Sequence, residues 1–243
     1  MTKNTAQRLQ SLLQALSLSE QELLEQGLQR YRQAGYSPLA ALEHMLSDPS
    51  ESRDIRLMAC RLLGQTQAKR YVPAFLGLLR GPEDDYAFEA AKALKQIGGQ
   101  QTIQELITLL ETTQQPEQRA ATVYALGLMA DLGARASLLK ILTTPSESAR
   151  IRGFAAEALA QYHQDTTVTK ALLTTLDDPA PELRFWAVFA LGQQGSAEAI
   201  PALAHVAATD TTLYPGYGTI QKEAQDAIQC IYRALEESKI PDP

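Results

Sequence analysis

The sequence predicts an all-α fold in which helix pairs stack one on the next. Three observations predict it. The first is self-similarity. The stretch Gln118-Arg119-Ala120-Ala121-Thr122-Val123-Tyr124-Ala125-Leu126-Gly127 returns in altered form as Ile55-Arg56…Leu63-Gly64, Tyr86-Ala87…Leu94-Lys95, Ile151-Arg152…Leu159-Ala160, Leu183-Arg184…Leu191-Gly192 and Ile220-Gln221…Ile228-Gln229. The steps between equivalent positions are 31, 32, 33, 32 and 37 residues, a period that marks stacked repeats. The second is helical periodicity. With Arg56, Arg119, Arg152 and Arg184 taken as position zero, positions -1, +3, +6 and +7 are nearly always apolar, as in Ile151, Ala155, Ala158 and Leu159. That spacing puts them on one stripe of a helix. The third is that no run alternates with period two over the length of a strand.

The elements follow in order. Residues 5–16 carry Leu9, Leu12, Leu13 and Leu16 on one face. Ser19-Glu20-Gln21-Glu22 reads as a capping box that opens a second helix running to about Ala34. Ser37-Pro38 then starts the first repeat helix. Each repeat predicts two helices. The first carries a signature seen in Phe75-Leu76-x-x-Leu79, Leu106-Ile107-x-x-Leu110, Leu138-Leu139-x-x-Leu142 and Leu172-Leu173-x-x-Leu176. Pro73 and Pro201 mark a start or a kink in two of these helices. Breakers separate the helices of a pair: Gly81-Pro82, Gln115-Pro116, Thr144-Pro145 and Pro179-Ala180-Pro181. Asp54, Asp85, Glu117 and Glu182 stand two before position zero, where a carboxylate favours the helix dipole by about 0.3–1 kcal/mol. The last repeat holds an insertion, Leu213-Tyr214-Pro215-Gly216-Tyr217-Gly218, in which Gly216-Tyr217-Gly218 reads as a flexible loop rather than a nucleotide fingerprint. A polar final helix over 220–237 reads as the closing cap. The expected segments are a helical cap over 1–36, a repeat array over 37–210, and the last repeat helix with its cap over 211–243.

The bulk numbers are consistent with such an array. Of 243 residues 45% are hydrophobic, enough for a core that runs along the stack. The formal net charge of -6 opposes phosphate backbones, so nucleic acid is not an expected partner. Cys60 and Cys230 are too few and too far apart for a disulfide framework, which points to a reducing compartment. The chain shows neither a signal-peptide core nor an apolar run of about 18 residues, so the expectation is a cytoplasmic protein with no membrane partner.

The register Arg-x-x-Ala-x-x-Ala-Leu-Gly, behind a helix with Pro201-Ala202-Leu203, resembles HEAT repeats. It is most similar to the HEAT-like variety named after phycobilisome lyases. The resemblance covers about residues 38–237. It implies a right-handed α-solenoid of about six helix pairs, with the second helices lining the concave side. Proteins with this repeat include scaffolds, adaptors, bilin lyases and a hydroxylase.

Chemistry-bearing motifs are few. His44, His163 and His205 stand in no metal-ligand spacing with one another or with a cysteine. HEAT-like deoxyhypusine hydroxylases carry repeated His-Glu pairs for iron. Here the pairs read His44-Met45, His163-Gln164 and His205-Val206. No metal, no cofactor and no catalytic residue is expected. There is no Gly-x-Ser-x-Gly elbow and no phosphate loop, and Gly98-Gly99 reads as a helix C-cap.

What remains is a surface. Positions +1 and +5 lie opposite the packed stripe. They hold Phe88, Tyr124, Phe185 and Phe189, with Trp186 beside them at +2 and Arg152 and Arg184 next to the column. Aromatics beside arginines have the composition of a binding hot spot. These seven residues form the expected concave binding patch. The arginines carry a second reading, an internal ladder of ion pairs between repeats. The leading expectation for function is a non-catalytic scaffold or adaptor that binds a protein or peptide. The alternative is a phycobilin lyase subunit or phycobiliprotein-associated factor, with a phycobiliprotein or bilin as partner. A bilin offers a flat apolar body and two propionates, which suit stacking and arginine pairing. A HEAT-like DNA glycosylase is a third reading, opposed by the acidic balance.

Overall fold

The structure is a computed structural model that describes residues 17–81 and 84–237. Thirteen helices run through the described residues. They are α1 (Leu18–Gln33), α2 (Pro38–Ser47), α3 (Arg53–Gln65), α4 (Val72–Leu79), α5 (Asp84–Ile97), α6 (Gln100–Thr112), α7 (Pro116–Met129), α8 (Arg135–Thr143), α9 (Ala149–Leu159), α10 (Thr166–Leu173), α11 (Pro181–Gln194), α12 (Ile200–Thr209) and α13 (Ile220–Glu237). After α1 they form six pairs, α2/α3 through α12/α13. The expected helix over 5–16 lies outside the described residues.

Starts and stops follow local chemistry. α1 is opened by Ser17, whose hydroxyl accepts from the Glu20 N–H while Glu20 accepts from the Ser17 N–H at 2.9 Å. The capping box is therefore Ser17…Glu20 rather than Ser19…Glu22. The same Ser-x-x-Glu spacing occurs one half-turn earlier, and the chain uses it. Ser37 caps α2 with Pro38 in its first turn, and Ser52 and Ser148 cap α3 and α9. Pro73 and Pro201 sit in the first turns of α4 and α12, so they start helices and kink none. Gly98 adopts φ +64°, and its N–H donates to Leu94 O, as a C-cap glycine does.

The chain divides into two compact units, residues 1–106 and 107–243. In the first, α3 packs on α2 and on α5, and α4 packs on α5. Its core includes Leu24, Leu42, Met45, Leu63, Phe75 and Leu94. In the second, the successive second helices α7, α9, α11 and α13 pack side by side, and α8 and α12 back onto α9 and α13. The apolar stripe is buried as its period requires: Ala125, Leu126, Ala155, Leu159, Ala187 and Leu191 are inaccessible to solvent, or nearly so. Close approach depends on a pair of small residues at each of two crossings in this unit. A Cβ added to Gly127 would lie 2.6 Å from the Ala158 methyl, and one added to Gly192 would lie 2.7 Å from Ala227. Three copies carry glycine at +8, Gly64, Gly127 and Gly192, and in each the alanine at +6 of the next second helix already fills the space a side chain would need.

The insertion forms a hairpin, and Gly216-Tyr217-Gly218 makes its turn and the start of its second strand rather than a flexible loop. Leu213–Tyr214 pairs antiparallel with Gly218–Thr219, and the Tyr217 N–H donates to Tyr214 O across the turn at 3.1 Å. Pro215 and Gly216, the latter at φ +85°, occupy the two central positions of a turn that favours proline and then glycine.

Candidate binding site on the second helices

The arginines at position zero turn inward. Arg152 meets Asp178 at 2.8 Å and Arg184 meets Asp210 at 2.8 Å, while Arg119 pairs with Glu147. Each also donates to carbonyls at the end of the preceding first helix or just beyond it. Arg119 reaches Leu110 O at 2.8 Å, Arg152 reaches Leu142 O at 2.9 Å, and Arg184 reaches Asp178 O at 2.8 Å. Asp178 thus receives Arg152 on its carboxylate and Arg184 on its carbonyl, linking two rungs of one ladder. Burial pushes the Asp210 carboxyl up, but the bonds from Arg184 and Thr212 outweigh it and hold the group below its usual range. The expectation that Arg152 and Arg184 face a partner is corrected. Their forks are already filled by orphan carbonyls and acids, and both side chains are largely buried.

Phe185 is corrected as well. It is 3% exposed, because position +1 is covered on α7, α9 and α11, as Ala120 and Gly153 also show, and only Lys222 on the terminal α13 is open there. Each second helix here has a second helix on one or both sides, so the buried arc is wider than a single stripe. The Phe185 ring lies under the hairpin, 5.1 Å from the Tyr214 ring, 5.3 Å from Tyr217 and 5.4 Å from Trp186. Tyr124, Trp186 and Phe189 are half-buried and present part of each ring to solvent. Phe88, on α5, belongs to the first unit and is half-buried; the site described here is built from the second unit alone.

One register organises that site. Position +5 of a second helix meets position +2 of the next. In the first unit this is the Arg61–Glu89 ion pair at 3.6 Å. In the second unit it is the Tyr124–Phe154 ring pair, 6.0 Å apart. The same register matches Glu157 with Trp186 and Phe189 with Glu223. Trp186 lies against Gly153 of α9, where an added Cβ would come within 2.9 Å of the indole. Its ring is 5.6 Å from Phe189 and 5.3 Å from Tyr217, both near edge-on. Tyr217, at the hairpin, is 59% exposed and offers the most open ring of the cluster. Tyr214 donates to Glu182 at 3.3 Å, and burial, reinforced by that carboxylate, raises its phenol pKa.

Two carboxylates complete the face. Glu157 and Glu223 are half-buried, and neither makes a hydrogen bond or ion pair among the described residues. Burial pushes both carboxyls up, with Asp226 adding to the effect at Glu223. The exposed second-helix face of this unit is therefore aromatic and acidic, not aromatic and basic. Phe154, Glu157, Tyr214, Tyr217 and Glu223 are absent from the expected patch. Reading the +2 column through, Met58, Glu89, Ala121, Phe154, Trp186 and Glu223, would have found two of them. Reading the +5 column adds Glu157.

Comparison with known proteins identifies the repeat. A family model described as HEAT repeats matches residues 39–131 and 133–214. The chain belongs to the HEAT-repeat family. Within this HEAT array, 174 residues are 30% identical to the bilin biosynthesis protein PecE of Mastigocladus laminosus, a match that covers 70% of this chain and 64% of that protein. The chain thus spans less than two thirds of that relative. The PecE protein of a Nostoc species is 29% identical over 175 residues, covering 70% of this chain and 68% of its own length. Among solved structures, the CpcE–CpcF complex of phycocyanin lyase from Nostoc sp. superposes with a TM-score of 0.56 at 18% identity, over 68% of this chain and 99% of that one. The HEAT repeats of this chain thus resemble those of bilin biosynthesis proteins in sequence. No helix among the described residues is long and apolar enough to cross a membrane.

Proposed function

We propose that the protein is a bilin-handling HEAT protein, a phycobilin lyase subunit or phycobiliprotein-associated factor, that holds a linear tetrapyrrole against the second-helix face of its second unit. The 30% identity to a bilin biosynthesis protein over most of this HEAT array carries the reading. The site's chemistry agrees with it. Trp186, Phe189 and Tyr217 offer ring faces and edges to a flat conjugated ligand. Glu223, unpaired beside them in register, accepts hydrogen bonds from pyrrole N–H groups and favours a protonated ring system. The protein partner expected from sequence becomes, on this reading, a phycobiliprotein or a second lyase subunit.

Trp186 is the one tryptophan of the chain, so its fluorescence reports on this site alone. Titration with free phycocyanobilin is expected to quench Trp186 and to shift the bilin's visible bands. Phe189→Ala is expected to weaken binding by about tenfold or more. An unchanged bilin spectrum with unquenched Trp186 would overturn the proposal.

A further inference from the structure

We propose that the pocket between α7 and α9 is a socket for an arginine side chain carried by a partner protein. Tyr124, Leu128, Phe154, Glu157 and Gln161 line it, together with the Gly127–Ala158 crossing. The two rings stand 6.0 Å apart and tilted by 57°, so they present two aromatic surfaces to one small space. Glu157 enters the same space half-buried and unpaired among the described residues. A carboxylate held partly out of water without a partner costs the fold free energy, and no hydrogen bond or ion pair among the described residues offsets it.

The lining chooses among ligands. An apolar side chain would satisfy the rings and leave the carboxylate worse off than before. A lysine ammonium would meet the carboxylate as a point charge but offers no plane to stack. A guanidinium does both: its face lies on an aromatic ring while its fork donates to a carboxylate. The molecule already shows half of this arrangement. The Arg150 guanidinium carbon sits 5.7 Å from the Phe154 ring centroid, one turn before the pocket. Leu128 supplies an apolar wall for the methylene stem. The chain's formal charge of -6 opposes no cationic partner. This socket uses Tyr124, Phe154 and Glu157, whereas the bilin reading rests on Trp186, Phe189, Tyr217 and Glu223, so either fails without the other.

The test titrates the full chain with N-acetyl-arginine amide, N-acetyl-lysine amide and N-acetyl-citrulline amide, following aromatic ring resonances by NMR. Tyr124→Phe and Phe154→Leu assign the two rings. The arginine probe is expected to shift both rings, with the lysine and citrulline probes weaker by about tenfold. Glu157→Gln is expected to bring arginine down to the citrulline response while circular dichroism stays native. Equal response to arginine and citrulline, survival of the response in Glu157→Gln, or silence at both rings would overturn the socket. An equal response to lysine would overturn its assignment to arginine.

Discussion

Arg184 makes contacts that a lysine cannot reproduce. Its fork reaches Asp210 at 2.8 Å and Asp178 O at 2.8 Å, and a third arm meets Thr212 at 3.2 Å. Asp210→Asn is expected to cost about 1–3 kcal/mol at neutral pH, less than a fully buried pair because some solvent reaches both groups. The pH dependence has a definite sign. Asp210 titrates below its unfolded value, so its contribution is present above that value and is lost as pH falls through the depressed folded pKa. Wild type and Asp210→Asn should therefore converge in acid, and urea denaturation at several pH values checks this. Glu157 has the opposite sign. Its folded pKa is raised, so the native state loses stability as pH rises from the unfolded pKa through the folded one. Glu157→Gln is expected to match or exceed wild-type stability at neutral pH. A clear loss of Tm would show that the carboxylate has a structural partner. Gln194 differs from both. It is 1% exposed, accepts from Thr169 at 2.7 Å and donates to Leu159 O at 3.3 Å, closing the end of α9 from α11.

At the scale of elements, packing depends on matched sizes where second helices cross. Leu126 of α7 is wholly buried, and Leu126→Ala is expected to cost about 2–5 kcal/mol, read as a shift of the denaturation midpoint. Its neighbour fails in the other direction. Gly127→Val places branched carbons where Ala158 already stands 2.6 Å from a single added Cβ, so α7 and α9 must separate. That change should destabilise by at least about 1–3 kcal/mol and disturb the Tyr124–Phe154 pair, which the same crossing positions. The hairpin is the other element with a consequence. Its extra residues lengthen the last repeat step to 37 and bring Tyr214 and Tyr217 onto Phe185. It is thus an ordered wall of the aromatic cluster.

At the scale of the molecule, each unit has a core of its own and contacts that run mainly between neighbouring helices. Stability in such arrays is a sum of repeat and nearest-neighbour terms. A chain of residues 99–243, which keeps α6 whole, is accordingly expected to remain helical and to show one cooperative thermal transition by circular dichroism. A featureless coil spectrum would show that the second unit depends on the first for its fold. Because the candidate site lies within that unit, the same fragment should retain Trp186 quenching by phycocyanobilin.

The sequence by itself determined the repeat, the all-α class, the six pairs and most helix ends. These depend on period, caps and breakers, which are local and recur in every copy. It also placed Tyr124, Trp186 and Phe189 on the face left open by the stripe. Two things were decided only by tertiary structure. One is where the arginines point. A guanidinium at position zero reaches either solvent or the next loop, and only the placement of Asp178 and Asp210 across the repeat resolves the choice. The other is which acids are left without partners. Asp54, Glu117 and Glu182 head their helices, where the dipole accounts for them. Glu157 and Glu223 look no different in the sequence, yet packing between repeats sets Glu157 in one pocket with Tyr124 and Phe154 and leaves Glu223 half-buried. Pairing between repeats is non-local, and a one-residue difference in rotation moves a side chain by about 100° around its helix.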